Sequence, residues 1–234
     1  MGGLLLIIPF YEATSWLRFI ALAGFLIVVH NLIWFVRNSE EILYDIFPTK
    51  HKREKKPSFK DQVWQHVSVA LFGGGLIFLI FQMDTIENMI EEPRFWKSFT
   101  LVGFVVGIIS LFLLKLSRPT VFQESGRRYA IIFGFVLGFM FISTSSASYL
   151  NSLYAAKNVV RSDFIVNDKS SGGARSKAYW IFIEIDNAKK RFKLKRQLWN
   201  QINVGDMVVL EIKAGFFDYE YVQKIELSKN KISF

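Results

Sequence analysis

Cysteine is absent from the 234 residues. That absence excludes disulfides, thiolate metal sites and a cysteine nucleophile, so a domain in an oxidising compartment must hold its fold by side-chain contacts alone. Histidine is scarce: His30, His51 and His66 are the only three, and none lies in the C-terminal third. No HExxH helix, GxSxG elbow or phosphate-cradling glycine loop occurs, so the motifs that announce nucleophile, base or metal chemistry are missing. His30 with His66, or His51 with Glu40, Glu41 and Asp45, matches no recognised metal-ligand spacing. The expectation is a protein that is not an enzyme and uses neither cofactor nor metal.

Charge is missing too, but only locally. The chain carries 29 Lys and Arg against 20 Asp and Glu, a net +9, yet 51% of it is hydrophobic. The apolar residues gather in blocks of about 20 within the first two thirds, the length a helix needs to cross roughly 30 Å of hydrocarbon. Four spans are expected: Trp16 to Val36, Val63 to Met83, Phe99 to Leu116 and Tyr129 to Leu150. Trp16, Trp34, Trp64, Trp96, Tyr129 and Tyr149 mark their ends, where amphipathic rings favour the headgroup level. Before them, Gly3 to Phe10 is apolar but lacks a basic flank and is interrupted by Pro9, Tyr11 and Glu12. It reads as an interfacial lead-in rather than a cleavable signal.

The loops set an orientation. Residues 37–62 hold seven Lys and Arg, from Arg37 to Lys60, and residues 117–128 hold Arg118, Arg127 and Arg128 against Glu124. Residues 84–97 hold Asp84, Glu87, Glu91 and Glu92 against Arg94 and Lys97. Short loops rich in Lys and Arg stay cytoplasmic, so the first and third loops are inside and both termini outside. The stretch Lys50 to Lys60 also suits contact with anionic inner-leaflet lipid.

Within the blocks, Gly103 and Gly107 of the third span and Gly134 and Gly138 of the fourth are spaced four apart, which lets another helix backbone approach closely. They serve either oligomerisation or contact between spans of one chain. His30 and Asn31 in the first span and Gln65 and His66 in the second are expected at similar depth near the inner surface. Intramembrane polar residues of this kind face a bundle interior or a wet cavity. They form either a proton, ion or ligand site or an interfacial hydrogen-bonded cluster.

After Leu150 the pattern changes to alternation. Strands are expected over residues 158–167, 179–186, 190–196, 207–213 and 219–227, with Ser170-Ser171-Gly172-Gly173 as a loop and a helical turn over 197–202. A two-residue turn at Asn187-Ala188 would set Ile183 opposite Phe192 and Ile181 opposite Leu194 on one face. Glu184 with Arg191, Asp186 with Lys189, Phe182 with Lys193 and Trp180 with Lys195 would then share the other. Only Ile185 opposite Lys190 breaks that pattern. Five strands and a helical turn in about 80 residues suggest a small barrel of the OB or SH3-like kind, by strand count alone.

The fold class expected is thus a membrane α+β protein: a four-helix transmembrane domain over residues 1–150, then an extracytoplasmic β domain over 151–234. In that second domain 15 Lys and Arg against 9 Asp and Glu leave +6. Lys189, Arg191, Lys193 and Lys195 supply much of the excess, either as a partner-binding surface or as a guarded edge strand. Phe216 and Phe217, in the last turn, are placed to meet a partner or the outer leaflet, or to fold back into the barrel. The partners expected are the lipid bilayer and a protein partner or second copy of the chain, not nucleic acid. The function expected is a non-enzymatic subunit of an envelope complex, with an oligomeric channel or transporter as the alternative. Phenylalanine, lysine and isoleucine enrichment suits a bacterial inner membrane.

Overall fold

The computed structural model describes Ile27, His30, Trp34 and Asn38 individually, and residues 41–50, 58–172 and 178–228 continuously. By contacts the chain divides into two units, residues 1–57 with 119–128, and residues 58–118 with 129–234.

Three long helices dominate: α1 (Phe59–Glu87), α2 (Glu92–Ser117) and α3 (Ser125–Leu153). Each is long and apolar enough to cross a membrane, as a multi-pass membrane protein requires. They contain the second, third and fourth sequence-predicted spans whole. The first, residues 16–36, falls outside the described residues except for Ile27, His30 and Trp34, which are helical.

Small residues set the distances between these helices. A Cβ on Gly103 of α2 would come within 2.5 Å of the Phe139 carbonyl oxygen, and one on Gly107 within 3.0 Å of Val136 Cα. On α3, Gly134 faces Ser68, whose carbonyl oxygen would lie 2.6 Å from an added Cβ, and Gly138 faces Leu71 at 2.9 Å. The two glycine pairs therefore do different jobs. Those of α2 receive α3, and those of α3 receive α1, so α3 touches both neighbours through close backbone approach. Hydroxyls add glue: Thr100 and Thr144 lie 3.3 Å apart, and Ser148 donates to Gln82 Oε1 at 3.2 Å.

The C-terminal part is a five-stranded antiparallel sheet, comprising β1 (Val159–Gly172), β2 (Ala178–Ile185), β3 (Ala188–Leu194), β4 (Met207–Lys213) and β5 (Tyr221–Leu227) in the order β3-β2-β1-β4-β5. The short helix α4 (Arg196–Gln201) lies between β3 and β4 in sequence. Strand β1 changes partner halfway: Val159 to Ile165 pair with β4, and Val166 to Gly172 pair with β2, with a register shift between Val166 and Asp168. Such a shift bends and twists a strand, and it lets one long strand belong to both halves of a curled sheet. Val166, Ile181, Ile183, Phe192, Ile202, Val208 and Leu210 form its core, against which Leu198 and Trp199 of α4 lie.

The differences from the sequence reading lie in the β2–β3 hairpin and at strand ends: Lys195 and Arg196, expected in the third strand, cap and open α4, and Tyr219 and Glu220, expected in the fifth, precede it. The β2–β3 turn is Asp186-Asn187, not Asn187-Ala188, and Ile181 pairs with Phe192 while Ile183 pairs with Lys190. The reason is steric. Both turn residues have positive φ, 50° and 60°, which Asp and Asn tolerate and Ala resists. A shift of two preserves every face, and it pairs Ile185 with Ala188 rather than with Lys190. Residues Ser170, Ser171 and Gly172, expected in a loop, are the end of β1, because the ladder to β2 holds them through pairing with Trp180, Tyr179 and Ala178.

In the other unit, residues 41–46 are helical and Phe47 is buried against Phe122, ring centroids 4.7 Å apart. Phe122 ends a 3-10 turn (Pro119–Phe122). Lys50 N–H donates to Gln123 O at 2.9 Å, and Arg128 donates to Phe47 O at 2.9 Å. Arg127 donates to Val121 O and Thr120 O and pairs with Glu124 at 3.6 Å. The two guanidinium groups are buried, so they brace this unit from inside rather than sit on its surface as a sequence count suggests.

Candidate functional site

The most heavily built feature of the larger unit is the place where the β domain meets the helix ends. The chain between α1 and α2 adds itself to the edge of β5. Met89 bridges Tyr221 in antiparallel fashion, Val222 N–H donates to Asn88 O at 2.9 Å, and Ile90 N–H donates to Glu220 O at 2.9 Å. Ile86, Met89 and Phe95 are fully buried beneath this contact, and Ile90 lies against the core of the sheet. The helix turn therefore protects part of an edge that would otherwise present unpaired backbone groups.

At the end of α3, Asn151 clamps the β4–β5 loop with both ends of its amide and its own backbone. Its Nδ2 donates to Tyr219 O at 2.9 Å, its Oδ1 accepts from Phe217 N–H at 2.9 Å, and its carbonyl accepts from Phe216 N–H at 3.2 Å. The side chain is fully buried, and Gly215 is needed beside it, since a Cβ there would collide with the amide. The rings of the loop continue the contact. Phe217 sits 5.2 Å from Phe99, and Tyr219 meets Phe95 edge-on at 5.2 Å, while the Tyr219 hydroxyl lies 3.2 Å from Ser98 Oγ. Ring pairs of this geometry add about 0.5–1.5 kcal/mol each beyond area burial.

The two adjacent phenylalanines named from sequence thus part company. Phe217 folds back onto α2, whereas Phe216 turns outward at 59% exposure, its ring 75° from that of Phe217. Asn151 carried no sequence signal beyond its place among the serines that close the fourth span. The hydrogen-bond partners of its side chain are 66 and 68 residues away.

Lys189, Arg191 and Lys193 lie on one face of the β2–β3 hairpin, and Lys195 follows β3 as the N-cap residue of α4. Lys189, Arg191, Lys193 and Lys195 are all exposed. Across the ladder Lys189 pairs with Glu184, Arg191 with Phe182, and Lys193 with Trp180. Lys189 also lies 4.7 Å over the Phe182 ring and 3.1 Å from Asp168. Hydrogen bonds from the Lys189 ammonium and the Lys169 amide hold the Asp168 carboxyl below the usual aspartate range. Lys193 reaches back to Asp84, at the end of α1, at 3.1 Å. Arg191 and Lys195 make no ion pair among the described residues.

On the opposite face, Lys169 crosses the ring of Trp199 at 4.1 Å and donates to the carbonyls of Trp199 and Ile202, closing the C-terminal end of α4. Trp199 Nε1 in turn donates to Trp180 O at 3.1 Å. Burial raises the Tyr221 phenol above its ordinary value, and Glu226 raises the Lys224 ammonium.

The polar quartet named from sequence is divided. His30 is exposed and belongs to the smaller unit, and Asn31 lies outside the described residues. Gln65 is half-buried and His66 exposed on α1, in the larger unit. Among the described residues, Gln82 meets Ser148 and Thr100 meets Thr144 as interhelical hydrogen bonds. Among the described residues no group of three or more His, Asp or Glu is arranged to hold a metal ion. No protein-family model, curated protein or solved structure matches the chain.

Proposed function

We propose that the chain is a non-enzymatic integral membrane subunit of an envelope complex, whose outward β domain binds an acidic partner through the exposed face of the β2–β3 hairpin. The observation that carries this reading is the placement of exposed Lys189, Arg191 and Lys193 beside the rings of Phe182 and Trp180, with exposed Lys195 next along the chain, on a domain fastened to helix ends. Arginine beside aromatic rings offers both charge and flat apolar area, the combination that anchors protein interfaces, and the neighbouring lysines add charge. Arg191 and Lys195 are the residues of choice for contact, since Lys189 and Lys193 already have carboxylate neighbours.

In this reading a fourth span over residues 16–36 precedes α1, both termini lie outside, and the membrane is a bacterial inner membrane. The sheet order β3-β2-β1-β4-β5, with a helix between β3 and β4, supports an OB-like barrel opened between β3 and β5. The α1–α2 turn occupies part of that opening: it pairs with β5, and Asp84 reaches β3.

Affinity purification of the full chain in mild detergent tests the proposal. Arg191→Glu with Lys195→Glu should remove the co-purifying protein while membrane insertion and helix content stay unchanged. The same set of co-purifying proteins with wild type and double variant would overturn it.

A further inference from the structure

We propose that Phe216, with Tyr154, Leu153 and Tyr149, forms an anchor that enters the headgroup layer of the bilayer, so that the β domain touches lipid itself. Phe216 and Tyr154 are 59% and 62% exposed, and their rings lie 5.8 Å apart. Leu153 is 53% exposed and stands one helical turn beyond Tyr149, itself 45% exposed, on the same face of α3. Two exposed pairs, Phe216 with Tyr154 and Tyr149 with Leu153, thus flank the end of α3, joined through the neighbours Leu153 and Tyr154.

The level of the patch follows from the helix. A 29-residue helix is about 43 Å long, against roughly 30 Å of hydrocarbon and 40–45 Å of whole bilayer. If the apolar stretch from Tyr129 fills the hydrocarbon, about 20 residues end it near Tyr149, and Leu153 stands about 6 Å beyond. Phe216 is held at that level, because its amide donates to the carbonyl of Asn151, two residues before Leu153. Amphipathic rings favour this depth, and exposed Lys157 follows close enough to meet lipid phosphate. A phospholipid surface is the occupant, because these side chains continue the exposed face of a helix that has membrane-spanning length.

The inference rests on the reading of α1, α2 and α3 as membrane spans, and the test separates the two. The cysteine-free chain accepts single spin labels without background. Phe216→Cys, Tyr154→Cys, Val204→Cys in the turn before β4, and Leu101→Cys within α2 are labelled and reconstituted into vesicles of phosphatidylcholine and phosphatidylglycerol. The ratio of oxygen to nickel-chelate accessibility is then read at each site. For labels at 216 and 154 it should exceed that at 204 by about threefold or more and stay below that at 101, as burial of a few ångströms into the interface requires. Ratios at 216 and 154 equal to that at 204, with 101 still in lipid, would overturn the anchor alone. A water-like ratio at 101 would overturn the spans and the anchor together. Labels at 216 and 154 shielded from both reagents would place a second copy of the chain on the patch and overturn the lipid contact.

Discussion

Replacing Asn151 by alanine should loosen the β domain from the helix ends without unfolding either. The variant removes the donor to Tyr219 O and the acceptor from Phe217 N–H, and leaves the backbone contact to Phe216 in place. A buried polar group left without its partner costs about 1–3 kcal/mol. The loop around Phe217 and Tyr219 is half-buried, so water can reach it in part, and the two losses together come to about 2–4 kcal/mol. At 1.4 kcal/mol per factor of ten, that is roughly a 25- to 700-fold rise in the population of the detached state. Amide hydrogen exchange in a nanodisc reads it directly, since local opening sets the rate. The amides of Phe217, Val222 and Ile90 should exchange faster together, because all three donate across the junction. Ile183, in the middle of β2, should keep its protection. Exchange at Phe217 and Val222 within threefold of wild type would refute the account of Asn151 as the clamp.

Three further outcomes follow from the same geometry. Gly134→Ala sets a methyl against the Ser68 backbone, and overfilling of this kind should destabilise the helices by about 1–3 kcal/mol, seen as a lower thermal midpoint in detergent. Lys193→Ala removes an ion pair whose side chains are 52% and 79% exposed, so stability should change by less than about 1 kcal/mol in a denaturant titration. Asp168 should titrate below the usual aspartate range by NMR and return toward it in Lys189→Ala. Because the folded carboxyl is the stronger acid, its stabilising pair is complete above the ordinary aspartate pKa and is lost as pH falls through the folded value.

How much of this was legible in the sequence depended on how local the cause was. Spans over residues 63–83, 99–116 and 129–150 follow from apolar length alone, which needs no partner to be recognised, and the helices run beyond them to 59–87, 92–117 and 125–153. The β2–β3 faces were readable because alternation has period two, and a shift of two leaves each side chain on its own face. The turn itself was misplaced, since apolar pairing favoured Ile183 opposite Phe192, whereas positive φ at Asp186 and Asn187 decides the matter. The glycine spacings announced close helix contact but not which helix each pair would meet. Asn151, Met89 and the different fates of Phe216 and Phe217 were invisible, because every contact that defines them joins elements far apart in the chain. The expected meeting of His30 and Asn31 with Gln65 and His66 involves residues placed in separate units or outside the described residues.

On the proposed topology α1, α2 and α3 cross the bilayer and leave the α1–α2 turn and the β domain together on its outer side. Single cysteines at Glu92, Lys224 and Ser117 of the cysteine-free chain, exposed to an impermeant maleimide on sealed right-side-out vesicles, test it most directly. Reaction at positions 92 and 224 with protection at 117, reversed in inverted vesicles, is the result expected. Position 117 reacting from the outside while 92 and 224 stay protected would contradict the orientation, and equal reaction of all three from both sides would contradict the spans.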